Sequence, residues 1–505
     1  MKKISIIIYC LLLAVFVQRA EAQSEPDPYR EQYRDQVHFS PKAHWVNDPN
    51  GMVYFKGKYH LFYQYYPGGT KLGPMHWGHA VSADLMHWKE LPVALYPDSL
   101  GYIFSGSVVA DIRNTSGFGR GGKVPLVAIF THHDPKGEKK GTGTFQNQSV
   151  AYSLDEGATW TKYEGNPVVK NPGIRDFRDP KVTWFEPARK WIMTLATKDC
   201  VTFFSSPDLK NWQRESEFGK DTGAHGGVWE CPDLFPMSFQ GKSYWVLTVS
   251  LNPGGPNGGS ATQYFVGQFD GKKFSAQSIQ TKWIDYGPDD YAGVTWSNTA
   301  NRRIFLGWMS NWRYANDLPT VNWRNTMTIP RELALTKKKG EFYISSSPVS
   351  EIRGIEVPAS KIVAEINRAG ITTPDQYVLG FEVSSKADYT ITLSNQQNEQ
   401  LVINYRAAER KFVIDRSRSG AVNFHPEFKD LIVAPRIAVT PVMKLKLVVD
   451  ASSVELFSDG GLTAATALSF PAKPFSYIKI KTGQARRLKN VHLTPLKSIW
   501  GNPDK

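Results

Sequence analysis

The sequence predicts an all-β chain, a five-bladed β-propeller followed by a C-terminal β-sandwich, and three observations carry that prediction. First, the chain has 505 residues, 41% of them hydrophobic, with 41 glycines, 32 prolines and 15 tryptophans. That is long enough to bury more than one core, and it favours many short strands and turns over long helices. Second, an apolar strand, a short basic or glycine turn and another apolar strand recur at 52–64, 107–131, 181–197, 234–250 and 294–309. Five such units in a run of roughly 300 residues describe five blades around a central channel. Third, a serine, an aspartate two residues on and a tryptophan recur as S-A-D-L-M-H-W (82–88), S-L-D-E-G-A-T-W (153–160) and S-P-D-L-K-N-W (206–212). These read as Asx-type turns that join the outer strands of a unit, with the tryptophan packed between neighbours.

Taken in order, the chain begins with Lys2 and Lys3, an apolar run at 4–17 and Ala20-Glu21-Ala22. This is the pattern of a secretory signal, so residues 1–22 are expected to be removed and the protein exported to the periplasm or the medium. No other apolar run is long enough to span a bilayer, which gives no membrane partner. Loss of Lys2, Lys3, Arg19 and Glu21 lowers the formal charge from +13 to +11. The remaining Lys and Arg are scattered singly or in short groups, as on a solvated surface, and not in a tract suited to nucleic acid. Cys200 and Cys231 remain after residue 22, so no disulfide framework is implied.

The propeller is expected over 23–345. The innermost strands of its blades start at one end of the channel, so residues just before them converge. Asp48 lies in W-V-N-D-P-N-G (45–51), where Asp-Pro and Asn-Gly read as a stiff turn ahead of a strand at 52–55. Asp179, in R-D-P, precedes the third unit, and Glu230, in W-E-C-P, precedes the fourth. One D-P-N-G is a plain turn, but three acids at equivalent places are not. They repel one another, and folding stability gives no reason to gather them. Convergent carboxylates with aromatic neighbours point to glycoside hydrolysis, in which one acid attacks and another donates a proton.

The motifs place the chain beside a known family. W-V-N-D-P-N-G at 45–51, F-Y-Q-Y at 62–65, H-W-G-H at 76–79, F-S-G-S at 104–107, F-R-D-P at 177–180, W-E-C-P-D-L-F at 229–235, D-Y-A at 290–292 and G-W-M at 307–309 occur in family order. Over nearly the whole chain after residue 22 the sequence resembles glycoside hydrolase family 32, the invertases, inulinases and levanases that act on β-fructofuranosides. Val46 stands where the family usually has Met, and Asp290 where an aromatic is common. The resemblance implies Asp48 as nucleophile, Glu230 as general acid and base, and Asp179 as the transition-state stabiliser that holds sugar hydroxyls. Two ionised neighbours favour the protonated form that a proton donor needs. Asn47, Gln64, Ser105 and Arg178 would hydrogen-bond the sugar. Trp77, Phe104, Tyr291 and Trp308 would form apolar walls, with Trp312 a competitor for the place of Trp308.

The expected activity is retaining hydrolysis of fructans (levan or inulin), with sucrose as a further substrate. No metal or cofactor is expected, and a monomer is. Close-set aromatic walls favour a pocket for one sugar and exo-acting release of fructose; internal cutting is the alternative. An arabinan-cleaving propeller and a non-catalytic fructan binder also stay open, although W-V-N-D-P-N-G argues against the first and the three acids against the second. His132 and His133 have no third ligand at useful spacing and read as turn or strand-end residues. The glycine-rich 252–259 reads as a loop near the site. Over 346–505, short strands separated by polar turns predict the sandwich, and V-D-A-S-S-V-E-L-F at 449–457 resembles a motif of the family's C-terminal domain, which implies that Asp450 and Glu455 are structural.

Overall fold

The computed structural model describes residues 28–357, 361–362, 366, 369–482 and 488–501. The expected signal at 1–22 lies outside the described residues. Five antiparallel sheets form the blades and two six-stranded sheets form the sandwich. The first hairpin of every blade falls where the repeat predicts it: His44–Phe55 with Lys58–Tyr66, Tyr102–Ala110 with Leu126–His133, Phe177–Phe185 with Lys190–Thr197, Val228–Phe239 with Lys242–Asn252, and Tyr291–Thr295 with Ile304–Met309. Two of these hairpins turn on Lys56-Gly57 and Gln240-Gly241, with φ of 46° and 82°, and 50° and 76°. Both turn residues are left-handed, the geometry that matches strand twist in a two-residue hairpin.

Strand alternation explains why the sheets pack as blades. Successive residues point to opposite faces, so each blade feeds two cores. Val108 packs toward the first blade and Val109 toward the third, and Leu234 and Phe235 divide in the same way between the third and fifth. Each buried aliphatic or Phe side chain of this kind contributes about 1.5–3 kcal/mol. The ring closes where Trp323–Arg324 pairs in parallel with His44–Trp45 of the first blade.

The recurring Ser-x-Asp elements form the expected turns between third and fourth strands. Asp84 Oδ1 accepts from the backbone N–H of Met86 and His87 at 3.0 and 2.8 Å, and Asp208 Oδ1 from those of Lys210 and Asn211 at the same distances. In each turn the indole N–H of Trp88 or Trp212 donates to a carbonyl three residues back.

The last blade strand, Glu341–Pro348, runs past the expected boundary at 345. The sandwich strands follow the predicted alternation, with burial changing at every residue of Tyr377–Ser384. Asp450 and Glu455 sit against the propeller, where they hold the two ring nitrogens of His38 at 2.8 and 2.9 Å. Cys200 and Cys231 are buried free thiols.

Candidate active site

Asp48, Asp179 and Glu230 meet in a cavity of about 560 Å³ at one end of the propeller channel. They are placed differently from expectation: none lies in a turn ahead of its strand. Asp48 is inside His44–Phe55, Asp179 inside Phe177–Phe185 and Glu230 inside Val228–Phe239. Each innermost strand carries one extra residue here relative to its partner. The register jumps from Val46↔Tyr65 to Pro49↔Tyr63, from Ala196↔Arg178 to Thr194↔Lys181, and from Glu230↔Ser250 to Asp233↔Thr248. The second and fifth blades do the same at Ile103/Gly106 and Tyr291/Val294. These are β-bulges, which bend the strand and re-aim a side chain. Pro49 and Pro180 fit because a bulge frees the residue from donating to the ladder. Asp179 and Cys231 take up φ of 65° and 45°, so the bend is held at non-glycine positions beside the acids.

Asp48 is clamped from both sides. Ser105 donates to Oδ2 at 2.6 Å and Asn47 Nδ2 to Oδ1 at 3.0 Å, while Asn47 is itself fixed by the indole N–H of Trp45 at 2.7 Å. Asp179 Oδ2 accepts the backbone N–H of Cys231 at 3.0 Å, and the thiol of Cys231 lies 3.5 Å from Asp48 Oδ2 and 3.6 Å from Asp179 Oδ2. Glu230 is held by Arg178, whose Nε and Nη2 reach Oε1 at 3.1 and 2.8 Å, and by the hydroxyl of Tyr291 on Oε2. Arg178 also donates to Asp176 at 2.6 Å. Burial pushes the Asp48 carboxyl above its ordinary range, against the bonds from Ser105 and Asn47, and the charge of Glu230 adds to the rise. Burial likewise lifts Asp179 to about 7; Arg178 opposes this, and the charges of Glu230 and Asp48 reinforce it.

A cavity lined by Arg178 and five acids, Asp48, Glu138, Asp176, Asp179 and Glu230, can hold a polar uncharged ligand and move protons. Behind it lies a second cavity of about 610 Å³, lined by Lys181, Asp233 and Arg303 among others. The two cavities share no lining residue. Lys181 Nζ, 3.2 Å from Asp233, lies just past Asp179 and Pro180 on the same strand.

The chain's similarity to known proteins agrees with this geometry. The model for the N-terminal domain of glycosyl hydrolases family 32 matches residues 38–346, and the model for the family's C-terminal domain matches 349–495. The chain belongs to glycosyl hydrolases family 32. It is 45% identical over 523 residues to a levanase of Bacillus subtilis (strain 168), a match that spans 99% of this chain and 76% of that one. The crystal structure of an exo-inulinase from Aspergillus awamori superposes with a TM-score of 0.86 at 36% identity, over 94% of this chain and 100% of that one. A β-fructofuranosidase from Schwanniomyces occidentalis, complexed with fructosyl-erythritol, gives 0.84 at 32% identity over 93% and 99%. The family places the chain among glycosidases.

Within this family member, Asn47, Gln64, Phe104, Ser105 and Arg178 line the cavity as expected. Gln64 Nε2 is buried and has no hydrogen-bond partner among the described residues. An unmet donor there costs about 1–3 kcal/mol, which a sugar hydroxyl would recover. Arg178 is committed to Glu230 and Asp176, so it organises acids as well as facing the cavity. Three expected wall residues stand behind the wall. Trp77 is fully buried, donates to the Phe104 carbonyl at 3.0 Å and packs on Phe62 and Phe130. Trp308 is fully buried against Trp45, and Trp312 takes its place on the cavity. Tyr291 touches the site only through its hydroxyl on Glu230.

His133, expected only at a turn or strand end, does end Leu126–His133, and there it also lines the cavity, its ring stacked 4.1 Å from Phe104. Asp176, Gln146 and Tyr102 line it without having been singled out; Asp176 two residues before Arg178 was the available signal. Asn252 also lines it, at the start of the glycine-rich loop expected near the site. Asp290 is turned away, in an ion pair with Arg331 at 2.9 Å.

Proposed function

We propose that this chain is a retaining β-fructosidase that removes terminal fructose from levan or inulin and also hydrolyses sucrose. The observation that carries the reading is one cavity lined by all three acids, with Asp48 held by Ser105 and Asn47, Glu230 by Arg178 and Tyr291, and Asp179 by the Cys231 amide. Asp48 attacks the anomeric carbon while the proton of Glu230 passes to the departing oxygen, so the carbon–oxygen bond breaks without forming an alkoxide. The fructosyl–Asp48 ester then opens to water, whose proton returns to Glu230, and two displacements restore the starting configuration. Asp179, fixed by the Cys231 amide, holds sugar hydroxyls beside the developing positive charge. Gln64 is the matching donor.

The chain is similar over nearly its full length to a levanase and to an exo-inulinase. Relatives named as exo-inulinases favour attack at a chain end. The deciding measurement is the product profile on levan, inulin and sucrose. Free fructose is expected from the first time point; early oligosaccharides without fructose would identify an internal cutter, and no release from any of the three would end the reading.

Export follows from the signal-like start, and several relatives are extracellular exo-inulinases. No helix among the described residues is long and apolar enough to cross a membrane. Mass spectrometry of the secreted protein should find an N-terminus near Gln23. The unit is taken to be a monomer, which sedimentation would check.

A further inference from the structure

We infer that the sandwich positions one wall of the active site through the segment 311–317, and that Arg313 and Asn257 are positioning residues for the sugar units beyond the cleaved bond. This rests on the β-fructosidase reading. Two cavity-lining residues depend on that segment. Trp312 lies within it, and Asn316 accepts the backbone N–H of Leu72 at 3.0 Å. A third, Asn252, is tied in through Ser260, whose hydroxyl reaches Asn252 Oδ1 at 3.2 Å and accepts the N–H of Trp312 at 3.1 Å.

The other side of the same segment is held by the sandwich. Arg313 faces Glu427 at 3.2 Å and Asp430 at 3.8 Å. Tyr314 donates to Asp289 at 2.5 Å and accepts from Arg416 at 2.9 Å, and Arg416 closes the triangle on Asp289 at 2.6 Å. The glycine-rich loop adds a second tie. Asn257 pairs through its amide with the edge strand Ile432–Pro435, accepting the N–H of Val433 at 2.8 Å and donating to its carbonyl at 3.1 Å. Gly258 and Gly259 are required where they stand. Both have positive φ, and a Cβ would lie 2.4 Å from the Arg313 guanidinium at Gly258 and 2.2 Å from Asn311 Oδ1 at Gly259.

Leu72 is half exposed at the cavity lip, and Trp312 stacks on Trp45 at 6.0 Å. Neither touches the three acids through any hydrogen bond, so they form the outer wall and not the reacting centre. Loosening the brace should therefore weaken the grip on a chain and leave the chemistry of one fructosyl unit intact.

Arg313→Ala and Asn257→Ala are the tests, because both residues are only partly buried and the Arg313–Glu427 pair keeps 30% and 41% of its side-chain surface, so unfolding is not expected. Each variant is assayed with a fructo-oligosaccharide and with an aryl fructoside, with Tm measured alongside. KM for the oligosaccharide should rise about 3- to 10-fold, with kcat for the aryl fructoside within about 2-fold of the parent and Tm within about 2 °C. Arg313→Lys should recover part of the loss, and Arg313→Glu combined with Glu427→Arg more than either alone. An unchanged oligosaccharide KM, or equal losses on both substrates, would overturn the brace while leaving the β-fructosidase reading intact. Failure of the parent on both substrates would instead overturn that reading and the inference with it.

Discussion

At the interface of propeller and sandwich, Arg331 gathers Asp285, Asp290 and Glu455 within 2.9 Å, and His38 is held between Asp450 and Glu455. At the mouth of the channel, Arg178 gathers Asp176 and Glu230 in the same way, with Asp179 at 4.0 Å. Both regions bury several carboxylates around one arginine, and in both most have donors on both oxygens, Asp48 and Glu230 included, while Asp290 Oδ1 has none among the described residues; what differs is what the acids face. Asp285, Asp450 and Glu455 have donors on both oxygens, Asp450 from the backbone N–H of Gln36 and Val37 and Glu455 from that of Ile329. Asp35, His38 and Asp450 lie close enough to hold a cation, but each ring nitrogen of His38 already faces a carboxylate, so a protonated imidazole does that work. Glu455 keeps 1% of its side-chain surface and Glu230 keeps 19%. The interface acids are sealed between propeller and sandwich; the channel acids are left facing a cavity.

The largest effect should separate the two channel acids from each other. Asp48→Ala removes the bonding atom, so kcat should fall by about five orders of magnitude on fructan and aryl fructoside alike. Glu230→Ala removes only proton transfer, about 10²- to 10⁴-fold on fructan and much less with an aryl leaving group. On the aryl substrate this second variant should show a burst, and azide should speed turnover and yield a β-fructosyl azide. A burst and rescue in Asp48→Ala, or an α-azide, would reverse the roles.

At the interface the loss should be of stability. Arg331→Met leaves buried carboxylates unpaired and should cost about 3–5 kcal/mol in denaturant unfolding, with kcat per folded molecule unchanged. A cost below about 1 kcal/mol, or a lower kcat in fully folded protein, would show that the contrast is false.

The pH dependence of stability should differ in sign between the interface acid Glu455 and the channel acid Asp179. For Glu455, burial alone would raise the pKa, but Arg331 and His38 outweigh it and hold it at about 2. A lowered folded pKa means stability that is present above the unfolded value and lost as pH falls toward 2. For His38, burial is outweighed by Asp450 and Glu455, which lift it to about 10. That stability is full below the unfolded value and is lost as pH rises through 10. Asp179, raised to about 7, works opposite to Glu455 and in the same direction as His38: the fold loses stability as pH climbs from the unfolded value through 7. Asp179→Asn should therefore raise Tm at pH 7 and change it little at pH 4. A Tm that falls at pH 7 would mean that the charge is fully compensated.

The smallest effect should come from salt. Fructans are neutral, so initial rates on a soluble fructan should change less than about 2-fold between low and physiological ionic strength despite the basic composition. A steep fall would assign the surface charge a part in binding.

Much of the fold was legible because it is written locally. Hairpins come from alternating apolar residues and paired turn residues such as Lys56-Gly57, and the outer turns from Ser82/Asp84 and their repeats. The acids were legible because they recur at one place in the unit. The bulges were not: an extra residue in one strand has meaning only against the register of its partner, so Asp48-Pro49-Asn50-Gly51 looked like a turn. Trp308 and Trp312 were likewise inseparable by spacing, since each is an aromatic beside the same strand end.

The sequence by itself determined an all-β chain of five repeated units and a sandwich, and it picked out the three acids that converge on one cavity. Periodicity and turn chemistry act over a few residues, and the family motifs are short. Only the tertiary structure decided that Arg178 serves Glu230 and Asp176, that Trp77 and Trp308 support the wall while Trp312 forms it, and that Arg313 ties that wall to the sandwich. Each of these depends on which distant strand fills the space beside a side chain, and burial and ion pairing are set by that neighbour and not by the residue's own place in the chain.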